Sequence, residues 1–213
     1  PEEFVKFALA KSFRAYGISS HGPLPFETFW NMSAFDMPEY LVEISRLKDK
    51  YQGHLEIYTG MEIDYLDTTY NPSIPYFQSL PLDYRIGSVH FLPIATELCE
   101  ANMVCIDGPF TEFKQAVDTY FEGDIRKMVK RYYESSIRMV ELGGIDIVGH
   151  LDKIYMNGQR CKDFSFTAPW YRNMVNEYLE VIADKGLIVE INTKNLLKKQ
   201  QTFPRQEYLS RMR

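Results

Sequence analysis

The chain has no apolar run near the roughly 18 residues that a bilayer-spanning helix needs. Its first residues, Pro1-Glu2-Glu3-Phe4-Val5-Lys6, lack the basic-then-apolar order of a secretory leader. Cysteine is scarce: Cys99, Cys105 and Cys161 are odd in number and show no CxxC spacing, so neither a disulfide framework nor a thiolate zinc site is indicated. They read as reduced thiols of a cytoplasmic protein. No GxGxxG and no GxxxxGK(S/T) follows any apolar run, which leaves the nucleotide-binding folds without their fingerprint. Positive charge is also in short supply. A net charge of -5 gives no basic surface for a phosphate backbone and argues against a nucleic-acid partner.

What is present is a packed globular chain. With 213 residues, 45% apolar and 15% aromatic, it supports one domain over residues 1–213. Apolar spacing predicts helices over 2–14, 38–51, 112–121, 125–142 and 169–185, with a short one near 74–80. It predicts strands over 16–19, 55–65, 84–91, 145–148 and 187–191. Residues 93–111 have no clean period and read as a long functional loop. The order is helix then strand, repeated about five times, with strands that are apolar almost throughout. That pattern indicates an α/β protein whose parallel sheet is covered on both faces.

Four short apolar runs end in a residue that can hold a metal ion: Ile18-Ser19-Ser20-His21, Gly60-Met61-Glu62, Gly87-Ser88-Val89-His90 and Ile147-Val148-Gly149-His150. The carboxyl ends of parallel strands open onto one face, so these residues converge although they are far apart in the chain. A histidine at one strand end is ordinarily structural, and a carboxylate among apolar residues is ordinarily ion-paired; three imidazoles and Glu62 on one rim make a metal site. Glu62 and Asp64 share one face of their strand by period-two alternation. His54 precedes its strand and belongs on the opposite rim, as a surface residue.

Asp152, two positions after His150, is placed to orient that imidazole, to contact substrate or to start a helix. Glu62 and Asp152 are the candidate catalytic groups. Glu190 and Asn192 face alike on the last strand, either reaching the rim or forming a buried hydrogen-bonded pair. Beyond that strand, Lys194, Lys198 and Arg205 are placed to meet a phosphate above the rim, together with Asn192. The basic residues of 125–142 are a solvated helix face.

The segments Gly17-Ile18-Ser19-Ser20-His21-Gly22-Pro23, Gly60-Met61-Glu62-Ile63-Asp64-Tyr65, Asp83–Phe91, Asp146–Lys153 and Glu190-Ile191-Asn192-Thr193 resemble, in order, the motifs of histidinol-phosphatases of the PHP (polymerase and histidinol phosphatase) superfamily. The resemblance implies a distorted (β/α)7 barrel of TIM-like form. It implies two or three divalent ions of zinc, manganese or iron, with Glu62 bridging two, His90 and His150 binding one of them, and His21 binding the third. Asp146, Ser88 and Asn192 would be supporting positions. The implied reaction is hydrolysis of a small phosphate monoester, L-histidinol phosphate first, in histidine biosynthesis. The alternatives are another phosphoesterase of the same superfamily, or a catalytically inactive domain with a binding role. Two departures stand out: the opening His-x-His strand and the closing Asp-x-His strand of that family have no counterpart here, and Ser20 stands where Asp is usual. The expectation is therefore the middle of a longer protein, with the first and last barrel strands missing.

Overall fold

The computed structural model describes residues 1–162, 164–165 and 167–212, apart from the Lys199 side chain. The first helix, α1 (Glu2–Ala10), buries Val5 and Ala8 and leads into β1 (Ala15–His21). In α2 (Met37–Lys50), Met37, Tyr40, Ile44 and Leu47 form the buried stripe, and Pro38 sits in the first turn, where its missing N–H costs nothing. The chain then forms β2 (Glu56–Asp64), the short α3 (Pro75–Gln78) and β3 (Tyr84–Ser88). An antiparallel ribbon of β4 (Phe91–Pro93) and β5 (Met103–Cys105) precedes α4 (Phe110–Tyr120) and α5 (Ile125–Leu142). Asp124 caps α5 by accepting the Arg126 N–H. After β6 (Ile147–Val148) come α6 (Tyr155–Gly158), α7 (Pro169–Asp184), β7 (Ile188–Val189), α8 (Leu196–Lys199) and α9 (Gln206–Leu209).

Five strands form one parallel sheet in the order β1-β2-β3-β6-β7. Every strand of it therefore points its carboxyl end at the same rim. Among the described residues the sheet is open rather than closed into a barrel, with β1 and β7 at its edges. Register does much of the convergence. His21 lies directly across from Glu62, and Asp64 across from Ser88.

The apolar interior divides into two clusters. One joins α1 and α2 to the underside of β1 and β2, through Val5, Ile44, Leu47, Ile57, Met61 and Ile63. The other packs α4, α5 and α7 around β3 and β6, through Phe113, Met128, Tyr132, Tyr133, Val148 and Tyr171. Tyr84 crosses the face between β1 and β2, where Gly17 and Gly60 leave it room: a Cβ on either glycine would overlap the ring.

Three expectations about elements need correction. The strand expected over 84–91 stops at Ser88, because the His90 N–H is bonded to the Asp64 carboxylate at 3.1 Å instead of to a neighbouring strand. The region 93–111 is not a plain loop; it contains the return strand β5, whose three residues are too few to show a period. The last strand is shorter than 187–191, and Asn192 exchanges backbone hydrogen bonds with Phe203, at 2.7 and 3.0 Å, outside the sheet. No helix among the described residues is long and apolar enough to cross a membrane.

Candidate metal centre

Glu62 occupies the middle of the rim. Its Oε1 lies 3.0 Å from His150 Nε2 and 3.5 Å from His90 Nε2, and its Oε2 lies 3.7 Å from His21 Nδ1. The Ser88 hydroxyl donates to the same Oε1 at 2.7 Å. Burial opposes the charge on Glu62, yet the hydrogen bond from His150 and the potentials of His150, His90 and His21 hold its carboxyl well below the ordinary range. The three imidazoles are themselves stacked edge to face, His21 on His90 at 5.2 Å and His90 on His150 at 4.8 Å between centroids.

Two sets of ligand atoms lie within 4.8 Å of one another, His21 with Asp64 and His90, and Glu62 with His90 and His150. Nitrogen and carboxylate oxygen donors of this kind suit zinc, manganese or iron. Two observations fit these residues to a cation: the Nδ1 atoms of His21 and His150 are buried with no hydrogen-bond partner, and Glu62 gathers three rings that would otherwise compete for it. Burial lowers the His21 pKa, with Glu62 opposing, so this ring favours the neutral form that binds metal.

The supporting residues explain the precision. His90 Nδ1 donates to Asp64 Oδ1 at 2.8 Å, which leaves Nε2 as the atom turned toward Glu62. The backbone N–H of His150 donates to Glu190 Oε2 at 2.8 Å, and Asn192 donates to Glu190 Oε1 at 3.1 Å. That anchorage holds His150 at φ +22°, a conformation that side-chain-bearing residues seldom adopt. Glu190 and Asn192 thus form a hydrogen-bonded pair that grips the backbone of the site. Asp152 is buried, accepts the Arg205 N–H at 3.0 Å through Oδ2, and is pushed up to about 7 by burial, against the opposing influence of Arg205. Its Oδ1 has no hydrogen-bond partner.

The structure brings His21, Glu62, His90 and His150 together, and sets Asp152, two residues after His150, in contact with Arg205. Lys194 and Lys198 are exposed, with no side-chain ion pair to the rim among the described residues. His54 is exposed, outside the site. Asp146 acts at the other end of the strands: its carboxylate accepts the Arg85 N–H at 2.8 Å and fastens the start of β6 to β3. Trp30, from the proline-rich segment after β1, packs edge-on against His21 at 4.8 Å and stacks on Phe91 at 5.8 Å, so that segment covers the centre. Nothing in the sequence marks Trp30 for this position, whereas the alternation of Asp64 with Glu62 on one strand face is a signal for Asp64.

Comparison with known proteins agrees with this geometry. Residues 1–194 match the PHP domain. The chain belongs to the PHP domain family. It is 29% identical, over 92% of its length and 75% of the other protein, to the histidinol-phosphatase of Bacillus subtilis strain 168. A crystal structure from Listeria monocytogenes, provisionally assigned as the histidinol phosphatase HisK, superposes with a TM-score of 0.83 at 22% identity, covering 99% of this chain and 83% of that one. Histidinol phosphate phosphatase from Lactococcus lactis, solved with zinc, L-histidinol and phosphate, gives a TM-score of 0.66 at 24% identity, over 91% of this chain and 67% of that one. The chain spans 66% of the length of the probable histidinol-phosphatase of Deinococcus radiodurans and 75% of that of the Bacillus subtilis protein.

Proposed function

We propose that this PHP domain hydrolyses a phosphate monoester, L-histidinol phosphate, at a divalent-metal centre held by His21, Glu62, His90 and His150. The observation that carries the reading is the convergence of one carboxylate and three imidazoles at the carboxyl rim of a parallel sheet, in a chain whose curated relative from Bacillus subtilis is a histidinol-phosphatase. The zinc, L-histidinol and phosphate of the Lactococcus lactis structure support both metal and substrate.

A bound divalent ion supplies a water molecule of lowered pKa and offsets charge on the phosphate oxygens. The protein's part is positional. Glu62 stands between the rings as the shared carboxylate, with Ser88 fixing one of its oxygens. Asp64 holds His90 in the tautomer that presents Nε2. Asp152, with its carboxyl near neutrality in pKa, holds a proton that it can give to the departing alkoxide. Arg205, from the segment after β7, has its guanidinium 4.6 Å from the Tyr155 ring centroid and provides positive charge beside Asp152. Lys194, before α8, and Lys198, within it, act from exposed positions as longer-range attraction for a dianion. The reduced state of Cys99, Cys105 and Cys161, none of them in a disulfide among the described residues, suits a cytoplasmic setting.

The test is Glu62→Gln in the zinc- or manganese-loaded protein. Loss of at least a hundredfold in kcat/KM toward L-histidinol phosphate, with reduced metal content, is the expected result. Unchanged turnover and unchanged metal content would overturn the reading, and faster turnover of a different ester would move the substrate assignment elsewhere in the family.

A further inference from the structure

Beside the metal centre lies a half-buried ion pair, Asp107 with Lys153, that the chemistry described so far does not use. Asp107 follows β5, and its stretch of chain is clamped to the rim. The Ile106 N–H donates to the His90 carbonyl at 2.9 Å, while the Asn157 side-chain amide donates to the carbonyls of Ile106 and Gly108, at 3.1 and 2.9 Å. A buried asparagine that bonds the carbonyls on both sides of Asp107 fixes where that carboxylate stands. Its position is next to the His90 end of the centre.

The carboxylate is underused. Among the described residues Oδ1 accepts only a thiol, from Cys105 at 3.4 Å, and Oδ2 faces Lys153 Nζ at 3.4 Å. A charge-assisted bond normally closes to about 2.7–2.9 Å, and a carboxylate has about four acceptor sites, so Asp107 keeps capacity for a better donor. Burial works against its charge, but His90, Lys153 and His150 keep the carboxyl below its ordinary range, so it stays an anion. Lys153 belongs to the loop that carries His150, its N–H donating to the His150 carbonyl at 2.8 Å. Its ammonium also lies 5.2 Å from the Phe203 ring centroid, which offers a second resting place when Asp107 is taken by another cation.

We propose that Asp107 is the subsite for the ammonium group of an amino-alcohol phosphate, and that Lys153 is the internal cation that keeps this carboxylate paired until substrate displaces it. The inference rests on the phosphatase reading above and names what reads the organic half of the substrate. A metal centre recognises phosphate alone; an anion beside it discriminates among esters by their cationic end, because an ester without the amine leaves a half-buried carboxylate with its loose partner.

The experiment compares L-histidinol phosphate with the same ester lacking the amine, in metal-loaded wild type, Asp107→Asn and Lys153→Met. Thermal unfolding first establishes that each variant is folded; Asp107→Asn is isosteric and serves alone if Lys153→Met is not. Asp107→Asn should lower the kcat/KM ratio of amine-bearing to amine-free ester about tenfold, and Lys153→Met should raise it by removing the competitor. Equal changes for both esters in Asp107→Asn, or no change, would overturn the inference. If wild type hydrolyses neither ester, the phosphatase reading itself fails and this inference falls with it.

Discussion

A single oxygen of Asp64 receives both the ring Nδ1–H and the backbone N–H of His90, at 2.8 and 3.1 Å. A carboxylate only accepts, so the tautomer of His90 is fixed by this contact, and the backbone bond sets the ring's height above the sheet.

Replacing Asp64 by Asn should preserve the fold and still lower zinc affinity about 10–100-fold, the cost that loss of an orienting partner imposes on a metal-bound histidine. The amide can present either a donor or an acceptor to Nδ1, so the tautomer is no longer enforced. Competition with a chelating dye measures the effect; affinity within twofold of wild type would remove Asp64 from this role.

In the metal-free protein the His90 pKa is pushed up to about 9, because Asp64 and Glu62 outweigh the burial that opposes its charge. The folded value lies above the ordinary 6.5, so the protonated ring contributes stability that is complete below 6.5 and is lost as pH rises toward 9. Metal and proton compete for the same ring. Zinc affinity should therefore climb with pH up to about 9, and binding at pH 7.5 should release about one proton from this histidine. Titration calorimetry in buffers of different protonation enthalpy checks this, and heats independent of buffer would contradict it.

Gly149 precedes His150, and a Cβ there would overlap the Ser88 hydroxyl oxygen and come within 3.0 Å of Ile86. Gly149→Ala should cost about 1–3 kcal/mol of stability, the usual range for overpacking. Pushing Ser88 off Glu62 should also reduce metal loading. Urea unfolding and metal analysis on one sample separate the two effects; an unchanged midpoint would mean that the backbone absorbs the methyl.

Cys105 is held as a thiol, pushed up to about 12 by burial and by the neighbouring carboxylate of Asp107. It should resist alkylation at pH 8 in the native protein and react once unfolded. Mass spectrometry of iodoacetamide-treated protein reads this directly, and rapid native labelling at Cys105 would show that the Asp107 stretch opens.

The rim histidines were legible in the sequence because an apolar run ending in His or Glu states both the strand and its polarity. His21, Glu62, His90 and His150 needed only the rule that parallel strands share a carboxyl end. Asp64 was half legible: alternation put it on the face of Glu62, but nothing in sequence said that it would bond His90. Asp107 and Trp30 were not legible, since both lie in irregular segments whose course depends on contacts with distant chain, Asn157 for one and Phe91 for the other. Lys194 and Lys198 were legible only as charge that follows the last strand; both are exposed, Lys194 before α8 and Lys198 within it, and a position in sequence does not say how far a long side chain reaches.

The interior of this chain is split, and the split runs under the centre. His21 and Glu62 stand on strands rooted in the α1 and α2 cluster, whereas His90 and His150 adjoin the cluster of α4, α5 and α7. The four side chains thus work as a rivet through two plates. An ion clasped by all of them would resist sliding of one half against the other, so the cohesion of the molecule and the integrity of the centre draw on the same few atoms.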